Sequence, residues 1–267
     1  VALNNDRGLT AFVVGDSPMR LKSDATTLNN WGSNVALAVE DNDNGLTTRD
    51  EYLGVFYPSL FTSDNAGNNV VVPPSHGILR TLALSDQVSF PWFAPAGTRR
   101  GGITNASAAG YITAEGEFKS ISLNEGQRDT LYSQSINPIT FLTGAGLVNF
   151  GQKTRAKNAS SLDRINVARL VIYLRSQLNK LAKPYIFEPN DKITRDEIKA
   201  QADSLMLELV GQRALYDFLV VCDESNNTPS RIDRNELYLD IAIEPVKAVE
   251  FIYIPLRLKN TGEISGL

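Results

Sequence analysis

Ser75 and His76 stand side by side and suggest the chemistry of a hydrolase, in which an imidazole takes the proton of an attacking hydroxyl. His76 is the chain's only histidine and therefore its only possible imidazole base. Neighbouring side chains point in different directions, and the sequence contains no G-x-S-x-G motif around a serine. We therefore interpret His76 as a residue at a helix start or in a loop, and we expect no catalytic residue.

A second stretch, EDNDNGLTTRDE from Glu40 to Glu51, aligns with a calcium-binding loop when Gly45 takes the sixth place. The ligand places one, three, five and twelve then hold Glu40, Asn42, Asn44 and Glu51. The first ligand is Glu rather than Asp, two ligands are neutral amides, and the preceding VALAV favours a strand over an entering helix. An acidic, asparagine-rich turn explains the same residues, so we expect no metal site.

Two glycine-containing stretches resemble nucleotide-binding motifs without completing them. Gly144-Ala-Gly146 has Asn149 where a dinucleotide fingerprint has its third glycine. Residues 150–154 end in Lys-Thr, but Leu147 stands where a phosphate loop has its first glycine. Both stretches are interpreted as turns, and no cofactor is expected.

Basic residues offer a third kind of chemistry, the binding of an anionic partner. Arg164, Arg169 and Arg175 fall on a predicted helix, and Arg99-Arg100 falls in a predicted loop. A solvated charged face explains them equally well, so both interpretations stay open.

Asp223, Asp233 and Arg234 surround an Asn-Asn pair and imitate an acid/base site. Side-chain hydrogen bonds to the backbone are the usual work of Asp and Asn in turns. We expect a structural turn built by Asp223, Asn226, Asn227, Asp233 and Arg234.

Composition excludes several classes of function. The chain has 267 residues, and its single cysteine, Cys222, excludes an intramolecular disulfide. One histidine excludes the Cys/His zinc sites, and a net charge of −4 gives no bulk electrostatic reason to bind nucleic acid. No apolar stretch approaches the ~20 residues that span a bilayer, and no signal peptide is recognisable. Because the chain starts at Val1 in ordinary sequence, we interpret it as a piece of something longer.

The first half of the chain has the pattern of an α/β domain with a mostly parallel sheet, since short apolar runs alternate with polar or helical connections. Pro58 predicts an edge position or a bulge for its strand. Ser75 is predicted to cap a helix that buries Ile78, Leu79, Leu82 and Ala83. The predicted strands cover residues 9–15, 35–39, 52–61 and 70–72, and the helix covers residues 76–85.

The second half has the pattern of an α+β domain with two helices on an antiparallel sheet, and we place the boundary near Ile136. An irregular, small-residue loop at 91–110 precedes it. Ser161 or Asp163 is predicted to cap the first helix, which Pro184 ends, and a capping box from Thr194 to Glu197 is predicted to open the second, which Gly211 ends. Strands are predicted at 215–222, 237–244 and 249–258, with a tail at 259–267.

Four ordered blocks in this half carry a resemblance to a known family. The sequence resembles the contractile tail sheath proteins of myophages, relatives of the sheaths of other contractile injection systems. The blocks are Phe150–Thr154 (FGQKT), Asp163–Leu170 (DRINVARL), Val221–Pro229 with Ile232–Glu236, and Pro245–Ile252. Looser likenesses lie upstream at residues 57–58, 72–75 and 94–97.

The resemblance implies a fold and an arrangement of subunits. Residues 1–135 would form a subtilisin-like domain that is not a protease and is truncated at its N-terminus. Residues 136–267 would form the C-terminal sheath domain on the inner side of the sheath, with a sheet completed by extended arms of neighbouring subunits. The inter-subunit arm would be carried by Phe251, Ile252, Tyr253, Ile254, Leu256 and Leu258, and Arg164, Arg169 and Arg175 would face the tube or a neighbour.

The resemblance also implies a role, that of a non-enzymatic structural subunit. It would polymerise as a helix around the tail tube and contract to drive the tube through the host envelope. The implied partners are other sheath subunits, the tube protein, and baseplate and tail terminator proteins, with no nucleic acid and no membrane insertion. The implied location is the sheath of a phage virion, assembled in the host cytoplasm. Two alternatives from other classes are a hydrolase that uses His76 and a monomeric binding module.

Overall fold

The computed structural model describes residues 1–35, 45–250 and 252–253. The α-helices of these residues are α1 Ala2–Asp6, α2 Ala25–Gly32, α3 Pro74–Val88, α4 Gly97–Arg100, α5 Glu125–Ser133, α6 Ile165–Ala182, α7 Lys192–Gly211 and α8 Pro229–Ile232. Short 3-10 helices cover Ser161–Asp163 and Lys183–Tyr185. The strands are β1 Val13–Asp16, β2 Leu53–Tyr57, β3 Ser59–Ser63, β4 Asn69–Val72, β5 Ala108–Ile112, β6 Phe118–Ser120, β7 Ile136–Leu142, β8 Gly146–Asn149, β9 Leu215–Val221 and β10 Asp240–Pro245.

The first sheet has the strand order β1-β2-β7-β8. β1 and β7 both pair with β2 in parallel, and β8 closes the sheet as an antiparallel hairpin partner of β7. Every residue of β2 is buried, as expected for an apolar strand covered on both faces. The predicted parallel sheet is therefore found in β1, β2 and β7, which join residues on both sides of Ile136. The domain boundary placed there stays a prediction.

The second sheet, β4-β3-β5-β6, is antiparallel throughout, contrary to the expectation of a single mostly parallel sheet. The stretch predicted as one strand at 52–61 is in fact two, β2 and β3, which belong to different sheets. Pro58 lies between them, outside both strands, so the prediction of an edge position or a bulge within one strand was wrong. A residue without an N–H fits the point where the chain leaves one ladder for another.

Helix α3 begins at Pro74, with Pro73 as N-cap, and runs beyond the predicted end. Ile78 and Leu82 are buried as predicted, but Leu79 is exposed and so is Ala83. The small residues Gly77, Thr81 and Ser85 complete the buried face instead. The pattern was misread because a close-packed helix face is here made from small side chains rather than large apolar ones.

Helices α6 and α7 pack on the two-stranded antiparallel sheet of β9 and β10, as predicted for the second half. The shared core is built from the helix stripes and the inner face of β9: Leu170, Leu174, Ala202, Met206, Leu209, Leu215 and Val220. α6 ends beside Pro184 and α7 ends at Gly211, as predicted.

The predicted helix caps were wrong. The Ser160 side chain caps the short 3-10 helix, and α6 then starts after Arg164 without a side-chain cap. α7 begins three residues early, because the Asp191 carboxylate accepts the N–H of Thr194 at 2.9 Å. Asp and Thr are both good N-cap residues, so the sequence alone does not choose between them.

Two further predictions concern the N-terminal strands. The strand predicted at 9–15 is shorter and shifted, since β1 starts at Val13 and Leu9 has a left-handed backbone. Of the strand predicted at 35–39, Val35 is described and is exposed outside any strand, and the rest lies outside the described residues.

In the described part of the chain, none of the helices is both long enough and apolar enough to cross a membrane. The same part contains no group of three or more His, Cys, Asp or Glu residues placed to hold a metal ion.

Candidate functional site

Glu250 is the most firmly held residue in the last described segment. The Arg164 guanidinium grips its carboxylate with two hydrogen bonds, Nε to Oε1 at 2.6 Å and Nη2 to Oε2 at 3.0 Å. The Gln152 amide adds a third hydrogen bond, Nε2 to Oε1, at 3.1 Å. We call Gln152, Arg164 and Glu250, with the neighbouring Tyr132, the arm root. Bidentate Arg–carboxylate pairs are among the most specific contacts that a protein can build.

Backbone hydrogen bonds fix the positions of Gln152 and Arg164, the two residues that bind Glu250. Gln152 follows β8, and its carbonyl accepts the N–H of Ile165, the first residue of α6, at 2.8 Å. The Thr154 N–H donates to the Asp163 carbonyl at 3.0 Å. These bonds place Gln152 and Arg164 side by side, although they lie on different elements.

The side chain of Asn137 in β7 is hydrogen-bonded to the segment that follows β8. Its side chain accepts the Lys153 N–H at 2.7 Å and donates to the Lys153 carbonyl at 2.8 Å. The Lys153 ammonium in turn donates to the Tyr132 carbonyl at 2.8 Å and lies 4.2 Å from the centre of the Tyr132 ring. The arm root is thereby attached to the first sheet of the protein.

The electrostatics of the arm root favour the charged pair. Burial by itself would raise the pKa of Glu250, but hydrogen bonding and charge from Arg164, with help from Tyr132 and Gln152, hold that pKa below its ordinary value. Burial likewise disfavours the Arg164 charge, and Glu250 outweighs it and raises the pKa of Arg164. Burial, together with the Glu250 charge, raises the pKa of the Tyr132 hydroxyl, which remains a neutral hydrogen-bond donor.

Glu250 is held by several hydrogen bonds, whereas the large hydrophobic side chains near it are exposed to solvent. Val249 is 78% exposed, Ile252 78% and Tyr253 87%, although all three are large and hydrophobic. Of the residues predicted to form the inter-subunit arm, Ile252 and Tyr253 are described and lie outside any strand. Phe251, Ile254, Leu256 and Leu258 lie outside the described residues, as does the tail. The arm is therefore still a prediction, and the structure gives the point from which it would leave.

A Glu250→Gln substitution is expected to loosen residues 246–250 by about 1–3 kcal/mol, because it removes the charge that Arg164 binds. Native-state hydrogen exchange of these amides measures the change. The same loosening is expected in the unsubstituted chain as pH falls below ~4.3, since a carboxylate with a lowered pKa stabilises only while ionised. Glu250→Gln should remove that pH dependence.

The control for this prediction is Glu244→Gln, which neutralises an exposed carboxylate in β10. It should leave the exchange of residues 246–250 unchanged. Equal protection of these amides in the Glu250→Gln and unsubstituted chains at neutral pH would contradict the role given to the arm root.

The sheet of β9 and β10 is the second feature of interest, because within the described residues each strand has a partner on one side alone. It also exposes apolar side chains, with Tyr216 64% and Leu219 60% accessible. A two-stranded sheet is marginal on its own, and an unpaired edge is a template for a further strand. We call β9 and β10 the open sheet.

The predicted structural turn is present and ties the two strands of the open sheet together. Buried Asn227 accepts the Tyr238 N–H at 2.7 Å and donates to the Tyr238 carbonyl at 2.9 Å. Asn226 donates to the Val221 carbonyl at 2.8 Å and to the Asp240 carboxylate at 2.9 Å. Asp223 accepts the Ser225 N–H at 2.8 Å, the side-chain-to-backbone bond expected of such a turn.

The other two residues assigned to the turn lie at its far end. The Asp233 N–H closes α8 on the Pro229 carbonyl at 2.9 Å, and Arg234 pairs with Glu236 on the surface. They help to shape the connection but do not join the asparagine network.

The three helix arginines all have partners within the chain. Arg164 binds Glu250, and Arg169 binds Asp86 at the end of α3. Arg175 donates to the Gly8 and Leu9 carbonyls at 3.3 and 3.4 Å. These contacts explain the three positions without an external partner, and contact with a tube or neighbour remains a prediction.

The residues first considered for catalysis are not arranged for it. The Ser75 hydroxyl and N–H both donate to the Asp16 carboxylate, at 2.8 and 2.7 Å, while His76 is an exposed residue in the first turn of α3. Gly144 and Gly146 form the tight β7–β8 connection with left-handed backbones, as the turn interpretation requires. Three of the four calcium-loop positions, Glu40, Asn42 and Asn44, lie outside the described residues.

Sequence reasoning missed both the arm root and a buried arginine beside it. Arg155 is fully buried and donates to the carbonyls of Leu46, Thr48 and Gln134. The signal for the arm root was present in the blocks themselves, because Gln152, Arg164 and Glu250 fall in three different blocks and meet in space.

Comparison with known sequences shows which proteins the chain resembles. Residues 157–259 match the family described as phage tail sheath C-terminal domain. The chain is 39% identical over 190 residues to the tail sheath protein of Vibrio phage KVP40, a match covering 71% of this chain and 27% of that protein. It is 34% identical over 200 residues to the tail sheath protein of Enterobacteria phage T4, covering 73% of this chain and 29% of that one. The chain thus spans less than a third of the length of these relatives.

Solved structures share the fold. A chain of the contracted anti-feeding prophage baseplate superposes with a TM-score of 0.74 at 21% identity, covering 97% of this chain and 68% of that chain. A sheath chain of an extracellular contractile injection system, also contracted, gives a TM-score of 0.71 at 18% identity, with 93% of this chain and 64% of the other covered. The mixed α/β fold described above is therefore a sheath-like fold, and residues 157–259 of the chain match the phage tail sheath C-terminal domain.

Proposed function

We propose that this chain is a structural subunit of the contractile sheath of a bacteriophage tail. The observation that carries the proposal is an open two-stranded sheet in the same domain as a chain segment that is anchored at Glu250 and then leaves the body exposed. One feature can receive a strand and the other can provide one, which is the combination that joins copies into a polymer. The similarity to tail sheath proteins supports the same conclusion.

The mechanism follows from the physics of strand addition. Main-chain hydrogen bonds between an arm and the open sheet of a neighbour link two copies without fixing the contacts between their bodies. The bodies can then rotate while the links persist. We propose that contraction is driven by larger contact areas between bodies in the contracted lattice, an energy stored at assembly.

The proposal includes the finer features that the resemblance implies. Residues 1–135 would correspond to a subtilisin-like domain without catalytic function, and residues 136–267 to the C-terminal domain with its arm. The partners would be other sheath subunits, the tail tube, and baseplate and terminator proteins. The protein would reside in the virion after assembly in the host cytoplasm.

The role proposed is mechanical rather than enzymatic. The Ser75 hydroxyl and N–H are both hydrogen-bonded to the Asp16 carboxylate. A hydrolase mechanism through His76 therefore finds no support in the geometry. A monomeric binding module would not need an open sheet next to a departing segment.

Helical polymers are expected when the purified chain is concentrated, because each copy carries both a donating and a receiving element. Negative-stain electron microscopy and sedimentation velocity over a range of concentrations provide the measurement. A monomer at every concentration would contradict the proposal and favour the binding module, and hydrolysis of a peptide substrate that is lost on His76→Ala would favour the enzyme.

A further inference from the structure

A groove of about 670 Å³ lies between the loop before α4, helix α5 and the segment that leads to Glu250. Val246 forms one end of this segment, and its N–H donates to the Ala214 carbonyl at 3.0 Å. The groove therefore begins where the open sheet ends, and it also borders the arm root. Neither the sheath role nor the strand-addition mechanism uses it.

The groove is rich in arginine. Arg99, Arg100, Arg128 and Arg213 line it, and none of them forms an ion pair with a described carboxylate. Partial burial, together with the nearby Arg99 and Arg213 charges, lowers the pKa of Arg100. Lys247 also lines the groove, together with three carboxylates, of which Glu250 is already bound to Arg164. Five cationic side chains therefore face the two remaining carboxylates, Glu125 and Asp129, a surplus of positive charge on a chain whose net charge is −4.

Two of these arginines are held in place over aromatic rings. The Arg100 guanidinium lies 4.8 Å from the centre of the Phe93 ring, and Arg128 lies 5.5 Å from the centre of the Phe150 ring. Arg100 also donates to the Ala94 carbonyl, and Arg128 to the Leu123 carbonyl. Each guanidinium keeps donors free while its orientation is restricted, which is the arrangement that suits carboxylate recognition.

Arg213 occupies a position where the backbone favours glycine. It has a φ of +62° just after the end of α7, in the left-handed region that side chains other than glycine enter at a cost. The fold places an arginine side chain there, at the wall of the groove, in spite of that cost.

The groove also contains unused hydrogen-bond acceptors. Gln152 and Asn166 are each 4% exposed, and the side-chain oxygen of each has no hydrogen-bond partner in the described structure. Their amide nitrogens are used, since Gln152 donates to Glu250 and Asn166 to the Trp92 and Val246 carbonyls. Buried acceptors of this kind are normally paired, and an extended peptide supplies N–H donors at regular spacing.

These features call for an occupant with backbone N–H groups and several carboxylates. The chain itself contains such a sequence, since Glu40 to Glu51 carries five acidic residues against one arginine.

We propose that the groove binds an extended acidic segment of a second copy of this chain, and that Glu40 to Asp43 is that segment. The inference rests on the proposed assembly of copies, to which it adds a side-chain-specific contact distinct from the arm. The arginines would meet the carboxylates, and the Gln152 and Asn166 oxygens would accept backbone N–H groups. The contact would be weakened by salt, because most of the pairing groups are partly exposed.

The test is binding of a labelled peptide of residues 36–47 to the intact chain, followed by fluorescence anisotropy at low protein concentration. A matched peptide carries Glu40→Gln, Asp41→Asn and Asp43→Asn. We expect the acidic peptide to bind and the amide peptide to bind at least about tenfold more weakly. The double variant Arg128→Gln/Arg213→Gln should weaken the acidic peptide about tenfold. The control variant Arg7→Gln/Arg80→Gln, which removes two exposed arginines elsewhere, should leave it unchanged.

Several results would overturn the inference. Equal affinity for the two peptides, or for the groove and control variants, would remove the charge recognition. A single-stranded oligonucleotide that binds more tightly with the same dependence on Arg128 and Arg213 would make the groove a nucleic-acid site. Peptide binding only to a chain whose own Glu40, Asp41 and Asp43 are neutralised would place the segment in its own groove. Polymer formation by electron microscopy is a separate measurement, so failure here leaves the sheath role standing.

Discussion

Removal of residues 249–267 is expected to abolish polymer formation while leaving a folded, monomeric chain. The truncation deletes the proposed arm and Glu250, but it removes nothing from the buried clusters of the described protein. Circular dichroism and thermal unfolding should therefore change little, whereas sedimentation and negative-stain microscopy should show monomers. Strand addition is all-or-none for assembly, since each copy in a linked lattice must provide its arm.

A second truncation distinguishes the effect of losing the arm from the effect of losing Glu250. Deleting residues 252–267 keeps Glu250 and its contacts with Arg164 and Gln152. It should abolish assembly as completely as the longer truncation, and it should preserve the hydrogen-exchange protection of residues 246–250. Intact helical polymers from either truncation would refute the arm hypothesis.

Arg155→Met is expected to lower the free energy of unfolding by about 3 kcal/mol or more, the largest stability effect predicted for the chain. Arg155 is fully buried, and its guanidinium donates to three carbonyls rather than to a carboxylate. Burial, together with the nearby Arg49 charge, lowers the pKa of Arg155 to about 10, so it stays charged at neutral pH. Methionine fills similar space but leaves the three carbonyls without donors.

Equilibrium urea unfolding, followed by tryptophan fluorescence, gives the measurement for this prediction. The control is Arg80→Met on the exposed face of α3, which should change the free energy of unfolding by less than about 0.5 kcal/mol. If the two variants are equally stable, the three carbonyls do not depend on Arg155.

The sequence predicted well those elements whose side chains repeat. The apolar residues of α6 recur every three or four positions, the spacing typical of a helix with one buried face, and Leu170 and Leu174 among them are buried. β9 and the turn that follows it were also predicted, because Asn226 and Asn227 act on residues close by in the sequence. Local patterns with local causes are the ones that a sequence reveals.

The failures share a different cause. Thr194 was predicted as the cap of α7, whereas Asp191 has that role in the structure; both residue types cap well, and the chain path before the helix decides between them. Arg164 and Glu250 are 86 positions apart, and no periodicity connects them. Arg155 meets carbonyls of two distant segments. Contacts that depend on the tertiary path of the chain leave no repeating pattern in the sequence. Only the family blocks contained the residues that form the arm root.

The attachment of the arm root has a mechanical consequence. If the proposed arm links two copies, tension along it would reach Glu250 first and pass through the Arg164 pair to the start of α6. From there the bonds of Gln152, Thr154 and Asn137 carry it into β7, a central strand of the first sheet. In the proposed lattice, a pull by one subunit would thus be shared among several bonds and delivered to the first sheet of the next subunit, which favours rotation of the whole body over unravelling from its end.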